Sequence, residues 1–113
     1  MIKTGADLTY TLNDGRLTFT LSGEIDHHSA LFLRQTADEL IYKHRPMSVA
    51  IDLSKIDFMD SSGLGFIMGR YALLKKLGGS IVLTDPNVRV KKILSLAGLE
   101  RIIKIERTQK NEN

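Results

Sequence analysis

Leu8-Thr9-Tyr10-Thr11-Leu12 alternates apolar and polar positions, and Arg16-Leu17-Thr18-Phe19-Thr20-Leu21-Ser22 does so again with Leu17, Phe19 and Leu21 on one face. A period of two belongs to a half-buried strand. Asn13-Asp14-Gly15 between the two runs is a hairpin turn signal. The first unit therefore reads as a β-hairpin that Gly23 ends. Beyond it the period changes. Ala30, Leu33, Ala37, Leu40 and Ile41 recur at helical spacing, with Arg34, Asp38 and Lys43 on other faces. Asp26 is the expected N-cap, with Ser29 as the competing choice. The helix should stop near His44-Arg45, because Pro46 disfavours helical geometry in the residue before it.

Met47 to Leu53 returns to strand, with Val49, Ile51 and Leu53 on one face and Ala50 on the other, which suggests a strand packed closely on both sides. Ser54 to Met59 breaks the alternation and reads as a loop with apolar anchors. A second helix starts after Asp60 and runs to about Leu77, where Gly78-Gly79 stops it. Its core stripe is Leu64, Ile67, Met68, Tyr71 and Leu74. Phe66 and Leu73 fall off that stripe and could serve the core or a partner. Gly65 and Gly69, four apart, would let the helix lie close to the sheet. Ser80 to Thr84 is a short strand. Asp85-Pro86 has the form of a helix start, ahead of a buried face of Val90, Ile93, Leu94 and Ala97. Arg101 to Glu106 suits a last strand, and the polar end, 107–113, is expected to fray. The order β-β-α-β-α-β-α-β implies an α/β fold: a mixed β-sheet with an N-terminal β-hairpin followed by alternating α and β elements. Residues 1–113 form one domain, without repeats or a linker.

Composition changes this picture little. A chain of 113 residues with 42% hydrophobic and 26% charged residues is ordinary for a single globular domain. The absence of cysteine removes disulfides, thiolate metal sites and thiol catalysis, and fits a cytoplasmic setting. No apolar run approaches the ~20 residues that span a bilayer, so no membrane role is expected. The net charge of +3 is mild and dispersed, and there is no Trp, which argues against nucleic acid as a partner.

Enzyme chemistry finds no foothold in the motifs. His27 and His28 are adjacent, so on a helix they cannot share a metal as an i, i+4 pair would. There is no P-loop and no Gly-x-Ser-x-Gly elbow around Ser61. Gly63-x-Gly65-x-x-x-Gly69, with Asp85 after the next strand, leaves a nucleotide-binding domain as a weaker alternative. Against it, Gly65 and Gly69 fall inside the helix, and the Ser54–Met59 loop separates strand from glycines.

What remains is Asp60-Ser61-Ser62-Gly63, an acid and two hydroxyls at a helix start. One reading is a plain N-cap. The other is covalent modification. A phosphoryl group there would carry nearly two negative charges, and the helix start would tolerate them. A dianion ~6 Å from a partner carboxylate costs several kcal/mol at an effective dielectric near 20. That is a loss of ~10³-fold or more in affinity. One hydroxyl could switch binding off while the fold stays the same. The residues alone do not choose between the two readings.

Phe58-Met59-Asp60-Ser61-Ser62-Gly63-Leu64-Gly65 resembles the signature of the bacterial anti-sigma factor antagonists, the STAS-domain proteins. Gly23-Glu24-Ile25-Asp26-His27-His28 and Gly69-Arg70-Tyr71 are similar to the sporulation members, and Ser95-Leu96-Ala97-Gly98-Leu99 fits the family's C-terminal helix end. The resemblance covers nearly the whole chain; the short polar tail departs from it without touching a motif. It implies a regulator that is not an enzyme and that is phosphorylated on Ser61 by its partner, an anti-sigma factor serine kinase. A serine phosphatase reverses the modification. Mg-ATP belongs to the kinase, so no cofactor is expected here. Asp26, Asp60, Ser62 and Leu64 are the implied partner contacts, and the free chain is expected to be a monomer. A STAS module in a stress-signalling scaffold is the alternative within the family. If the strands before Asp26 and Asp60 are neighbours, both helix starts share one acidic edge of the sheet. Asp26 would then pair with a basic partner residue, and Asp26→Lys should weaken binding and spare the fold.

Overall fold

The computed structural model describes residues 5–108. Strands β1 (Ala6–Asn13) and β2 (Arg16–Ile25) pair antiparallel in unbroken register from Ala6–Gly23 to Asn13–Arg16. Asp14 and Gly15 close the hairpin, both at positive φ, as a two-residue turn matched to strand twist demands. Helix α1 (His27–His44), strand β3 (Ser48–Met59), helix α2 (Ser61–Leu77), strand β4 (Ser80–Thr84), helix α3 (Val88–Leu96) and strand β5 (Lys104–Glu106) follow. The sheet order is β1-β2-β3-β4-β5, with every pair after the hairpin parallel. The expected mixed sheet and alternating order are borne out.

Leu17, Phe19 and Leu21 of β2, Val49, Ile51 and Leu53 of β3, and Ile81 and Leu83 of β4 share one face. The buried residues of all three helices join them in one cluster: Leu33, Ala37 and Ile41; Phe66, Ile67 and Leu74; Val90 and Leu94. The other face carries Thr18, Thr20, Ala50, Asp52, Val82 and Thr84. Ala50 is buried there but lies outside the core cluster, so it does not mark helices on both sides. Helix α1 ends as expected: Arg45, the residue before Pro46, leaves helical geometry at φ 47.

Several local expectations are corrected. Ser54–Met59 is not a loop; it is the second half of β3, paired with Ser22 to Ile25. β3 takes an extra residue between Asp52 and Lys55 and another between Ile56 and Phe58. Each bulge flips the strand's facing by one residue. The buried residues therefore run Leu53, Ile56, Met59, a spacing of three that hides the strand. β2 likewise continues past Gly23, whose φ of +94 and close approach to the Gly5 carbonyl admit no side chain. Asp85 is not a helix cap. It sits at φ 56 and accepts a hydrogen bond from the Thr108 N–H at 2.7 Å and another from the Thr108 hydroxyl. Asn87 caps α3, accepting from the Val90 N–H at 2.8 Å and donating to the Ile56 carbonyl at 3.0 Å. Ala97 is exposed at the C-cap instead of buried. The final segment splits into a 3₁₀ turn, Leu99–Arg101, and the short β5. Of the tail expected to fray, residues 109–113 lie outside the described residues.

Helix α2 buries Ile67 and Leu74 of its expected stripe but is turned partly toward Phe66. Phe66 is buried, whereas Leu64, Met68 and Tyr71 are half-buried at the core's edge. α2 has two neighbours, the sheet and α1, so it needs apolar residues on two sides. Phe66 and Leu73 both pack onto the core. A Cβ at Gly65 or Gly69 would meet nothing within 4 Å, so neither glycine serves close packing on the sheet. That role belongs to Gly63, where a Cβ would lie 2.6 Å from the Met59 Cβ.

Candidate functional site

β2 and β3 are parallel neighbours, and their last paired residues are Ile25 and Met59. Each strand is followed by an aspartate and a helix. The Asp60 N–H donates to the Ile25 carbonyl at 3.2 Å, which ties the two helix starts together. Asp26 and Asp60 therefore stand side by side at one sheet edge, as the strand order requires. Both helices direct their positive dipole ends there.

The two starts differ in chemistry. Asp26 and Ser29 form a capping box. The Ser29 N–H donates to Asp26 Oδ1 at 2.9 Å, and the Asp26 N–H donates to Ser29 Oγ at 2.9 Å. The Ser29 hydroxyl also lies 3.0 Å from Asp26 Oδ1 and is fully buried. Asp26 and Ser29 are thus partners in one cap, not competitors for it. The Ser29 N–H, and then its hydroxyl, hold the Asp26 carboxyl below the usual carboxylate range. This changes the meaning of Asp26→Lys: the substitution removes the α1 cap as well as reversing a charge, so the fold does not escape it.

At α2 the Asp60 Oδ1 accepts from the Ser62 N–H at 2.7 Å. Ser61 is exposed at the first helical position, and its hydroxyl makes no hydrogen bond among the described residues. Ser62 is half-buried. With His27, Ala30, Leu31, Arg34, Gly65 and Phe66 it lines an open cleft of about 350 Å³ between the starts of α1 and α2. Gly65 belongs to this cleft: with no side chain, it leaves the cleft floor open. The structure thus gathers Asp26, Asp60, Ser61 and Ser62 at one edge. Leu64 sits apart from the cleft, half-buried against the core.

Arg70 is the residue that the sequence reading left without a role. It is only 5% exposed. Its Nε lies 2.8 Å from Asp38 Oδ1 on α1, its Nη1 donates to the Phe66 carbonyl at 3.2 Å, and the guanidinium stacks over the Phe66 ring at 5.1 Å. Burial pulls its pKa down, and Asp38 opposes that shift. The pair locks α1 against α2 and so sets the width of the cleft. An arginine flanked by Ile67 and Leu74 on a buried face, with an acid on the preceding helix, was the available signal. Among the described residues no cluster of His, Asp and Glu is arranged to hold a metal ion, and no helix is long and apolar enough to cross a membrane.

Comparison with known proteins agrees with this geometry. The model of the STAS domain matches residues 7–111. The anti-sigma F factor antagonist of Paenibacillus polymyxa is 41% identical over 91 residues, covering 80% of this chain and 78% of that one. The anti-sigma-B factor antagonist of Bacillus subtilis is 32% identical over 93 residues, covering 82% and 84%. The solved structure of the anti-sigma factor antagonist SpoIIAA in its unphosphorylated form superposes with a TM-score of 0.81 at 24% identity, over 92% of this chain and 90% of that one; at that identity the likeness shows the fold alone. The chain belongs to the STAS-domain family, among its anti-sigma factor antagonists. It is a binding protein and not an enzyme.

Proposed function

We propose that this antagonist is a phosphorylation-switched ligand of an anti-sigma factor that is also a serine kinase. The unphosphorylated chain binds the kinase and frees a sigma factor. Phosphorylation of Ser61 ends the binding, and a serine phosphatase restores it. Mg-ATP belongs to the kinase, and the exchange takes place in the cytoplasm. The observation that carries this reading is the exposed, unengaged Ser61 hydroxyl at the first position of α2, beside the cleft. An attacking hydroxyl must be free of the fold's own hydrogen bonds and reachable by a second active site. Ser61 meets both conditions.

The same position explains why modification changes binding and not folding. The new charge enters where the helix dipole favours an anion. Asp60 and Asp26 oppose it. The surface offered to a partner thereby gains two negative charges at its centre, and a kinase carboxylate within ~6 Å of Ser61, placed to take the hydroxyl proton, would repel them. In the unphosphorylated state Asp26 and Asp60 would face basic partner groups, Ser62 would contribute a polar contact, and Leu64 would extend the contact along α2. The cleft would take an apolar partner side chain over Phe66. Incubation with the cognate serine kinase and Mg-ATP, followed by mapping of the phosphate, tests the reading. The expected result is one phosphate on Ser61. Label on another residue, or none, overturns it.

A further inference from the structure

β1 is an edge strand, and among the described residues nothing pairs with its outer side. It is eight residues long, its register with β2 has no bulge, and it contains neither lysine nor proline. Lysine, proline and bulges are usual devices that keep an edge from pairing; β1 carries none of these three, and its one charge is Asp7 near the strand's start. Tyr10 and Leu12 are 44% and 41% exposed. The segment Leu8-Thr9-Tyr10-Thr11-Leu12 also reads alike in both directions about Tyr10, flanked by the near-isosteric Asp7 and Asn13.

We propose that β1 is a self-association edge: it pairs antiparallel with β1 of a second copy about a two-fold axis at Tyr10. The occupant follows from the palindrome. That axis sets Tyr10 opposite Tyr10, Leu8 opposite Leu12, Thr9 opposite Thr11 and Asp7 opposite Asn13. Apolar residues meet on the helix-covered face and threonines on the other. The one charged residue meets an amide and not its own like charge.

The backbone has the matching phase. In a two-residue hairpin the closing pair, Asn13–Arg16, exchanges both hydrogen bonds, so the odd-numbered residues of β1 bond to β2. The Glu24 N–H bonded to the Gly5 carbonyl at 2.7 Å keeps that alternation. The N–H and C=O groups of Leu8, Tyr10 and Leu12 therefore point outward. The Leu8 N–H confirms this: it donates to the Asp7 carboxylate at 2.9 Å, a local bond that a second copy's Leu12 carbonyl replaces. Tyr10 then becomes a hydrogen-bonded pair on the axis. Two sheets of five strands join into one of ten with helices on a single face. The axis reverses strand direction, so the two Ser61 edges point opposite ways and both stay free. This departs from the monomer expected from sequence. It does not depend on the phosphorylation reading, because the free chain alone tests it.

The chain has no cysteine, so an introduced thiol reports cleanly. Tyr10→Cys places two sulfurs on a hydrogen-bonded antiparallel pair with Cα atoms ~5.5 Å apart, within disulfide reach. Mild oxidation should give a covalent dimer at least ~10-fold faster than with Thr9→Cys, whose opposite number is Thr11. Sedimentation of the unmodified chain should show a dimer fraction rising over ~10–500 µM, as a small interface allows. Tyr10→Lys, which sets two positive charges on the axis, should sediment as a monomer throughout while still unfolding cooperatively. A monomer at all concentrations, a dimer untouched by Tyr10→Lys, or Thr9→Cys linking as fast as Tyr10→Cys would each overturn the proposal.

Discussion

The two helix starts at the functional edge use nearly the same letters to opposite ends. α1 opens with Asp26-His27-His28-Ser29 and α2 with Asp60-Ser61-Ser62-Gly63. Both aspartates cap, both follow neighbouring parallel strands, and both are followed by serine. In α1 the serine is the third helical residue, where its hydroxyl closes the capping box and is buried. In α2 the serines are the first and second residues, and the third is glycine. A capping box cannot form there, because any side chain at Gly63 would run into Met59. The first start spends its hydroxyl on the fold; the second leaves one free at Ser61. Position within the first turn, and not residue type, separates a structural serine from one that another protein can use.

The largest expected effect breaks the comparison at Ser61. An aspartate there carries one charge where a phosphate carries two. At ~6 Å from a partner carboxylate and an effective dielectric near 20, that is about 3 kcal/mol, or ~10²-fold in affinity. Ser61→Asp should weaken kinase binding by that order, read by titration calorimetry, with its urea midpoint unchanged. A variant that binds as tightly as the parent refutes the placement of Ser61 at the contact. Next comes Gly63→Ala, an attempt to give α2 an ordinary third residue. The added methyl overlaps Met59, and overpacking of this kind costs about 1–3 kcal/mol. Urea unfolding measures it; no loss would mean that Met59 yields freely. Ser29→Ala follows, removing the hydroxyl that α1 uses. It should cost about 1–2 kcal/mol, because the part-buried Asp26 N–H is left without its acceptor while Asp26 still caps the N–H of residue 29. Ser61→Ala should cost under about 0.5 kcal/mol in the same assay, since its hydroxyl has no partner to lose.

Much of this site was legible in the sequence, and the failures share a cause. The hairpin, the element order and the Asp26 and Asp60 caps follow from local rules: alternation, helical spacing and side chains that reach their own backbone. Ser54–Met59 failed because two bulges changed its period, and bulges are set by the neighbouring strand. Asp85 failed because its carboxylate is taken by Thr108, 23 residues away in sequence. Phe66 stayed open and Arg70 had no readable role because α2 has α1 as a second neighbour. The spacing of Gly65 and Gly69 suits packing, yet the tertiary structure gives that duty to Gly63. In each case a partner distant in sequence decides, and local pattern does not record it. Asp26 is the intermediate case. Its capping role was readable, but the capping box shows that its charge cannot be reversed without disturbing the helix.

The smallest effect sharpens the comparison at Asp26, and it appears in a slope and not at neutral pH. The folded state holds the Asp26 carboxyl below its usual range, chiefly through the Ser29 N–H and hydroxyl. A group whose folded pKa lies below its unfolded pKa stabilises the fold fully above the unfolded value. That contribution is lost as pH falls through the folded value, because the unfolded chain takes up the proton first. Asp26→Asn keeps an acceptor for the Ser29 N–H but cannot titrate, and asparagine caps about as well as aspartate. The variant should match the parent at pH 7 and lose less stability on acidification below about pH 4, near the unperturbed aspartate pKa. Urea midpoints between pH 7 and pH 3 measure the difference. Parallel acid profiles would show that Asp26 takes no net stabilisation from its cap. A flatter profile for Asp26→Asn, set beside an unchanged one for Ser61→Ala, would place the acid-sensitive bond at the start of α1 and leave the α2 start free for a partner.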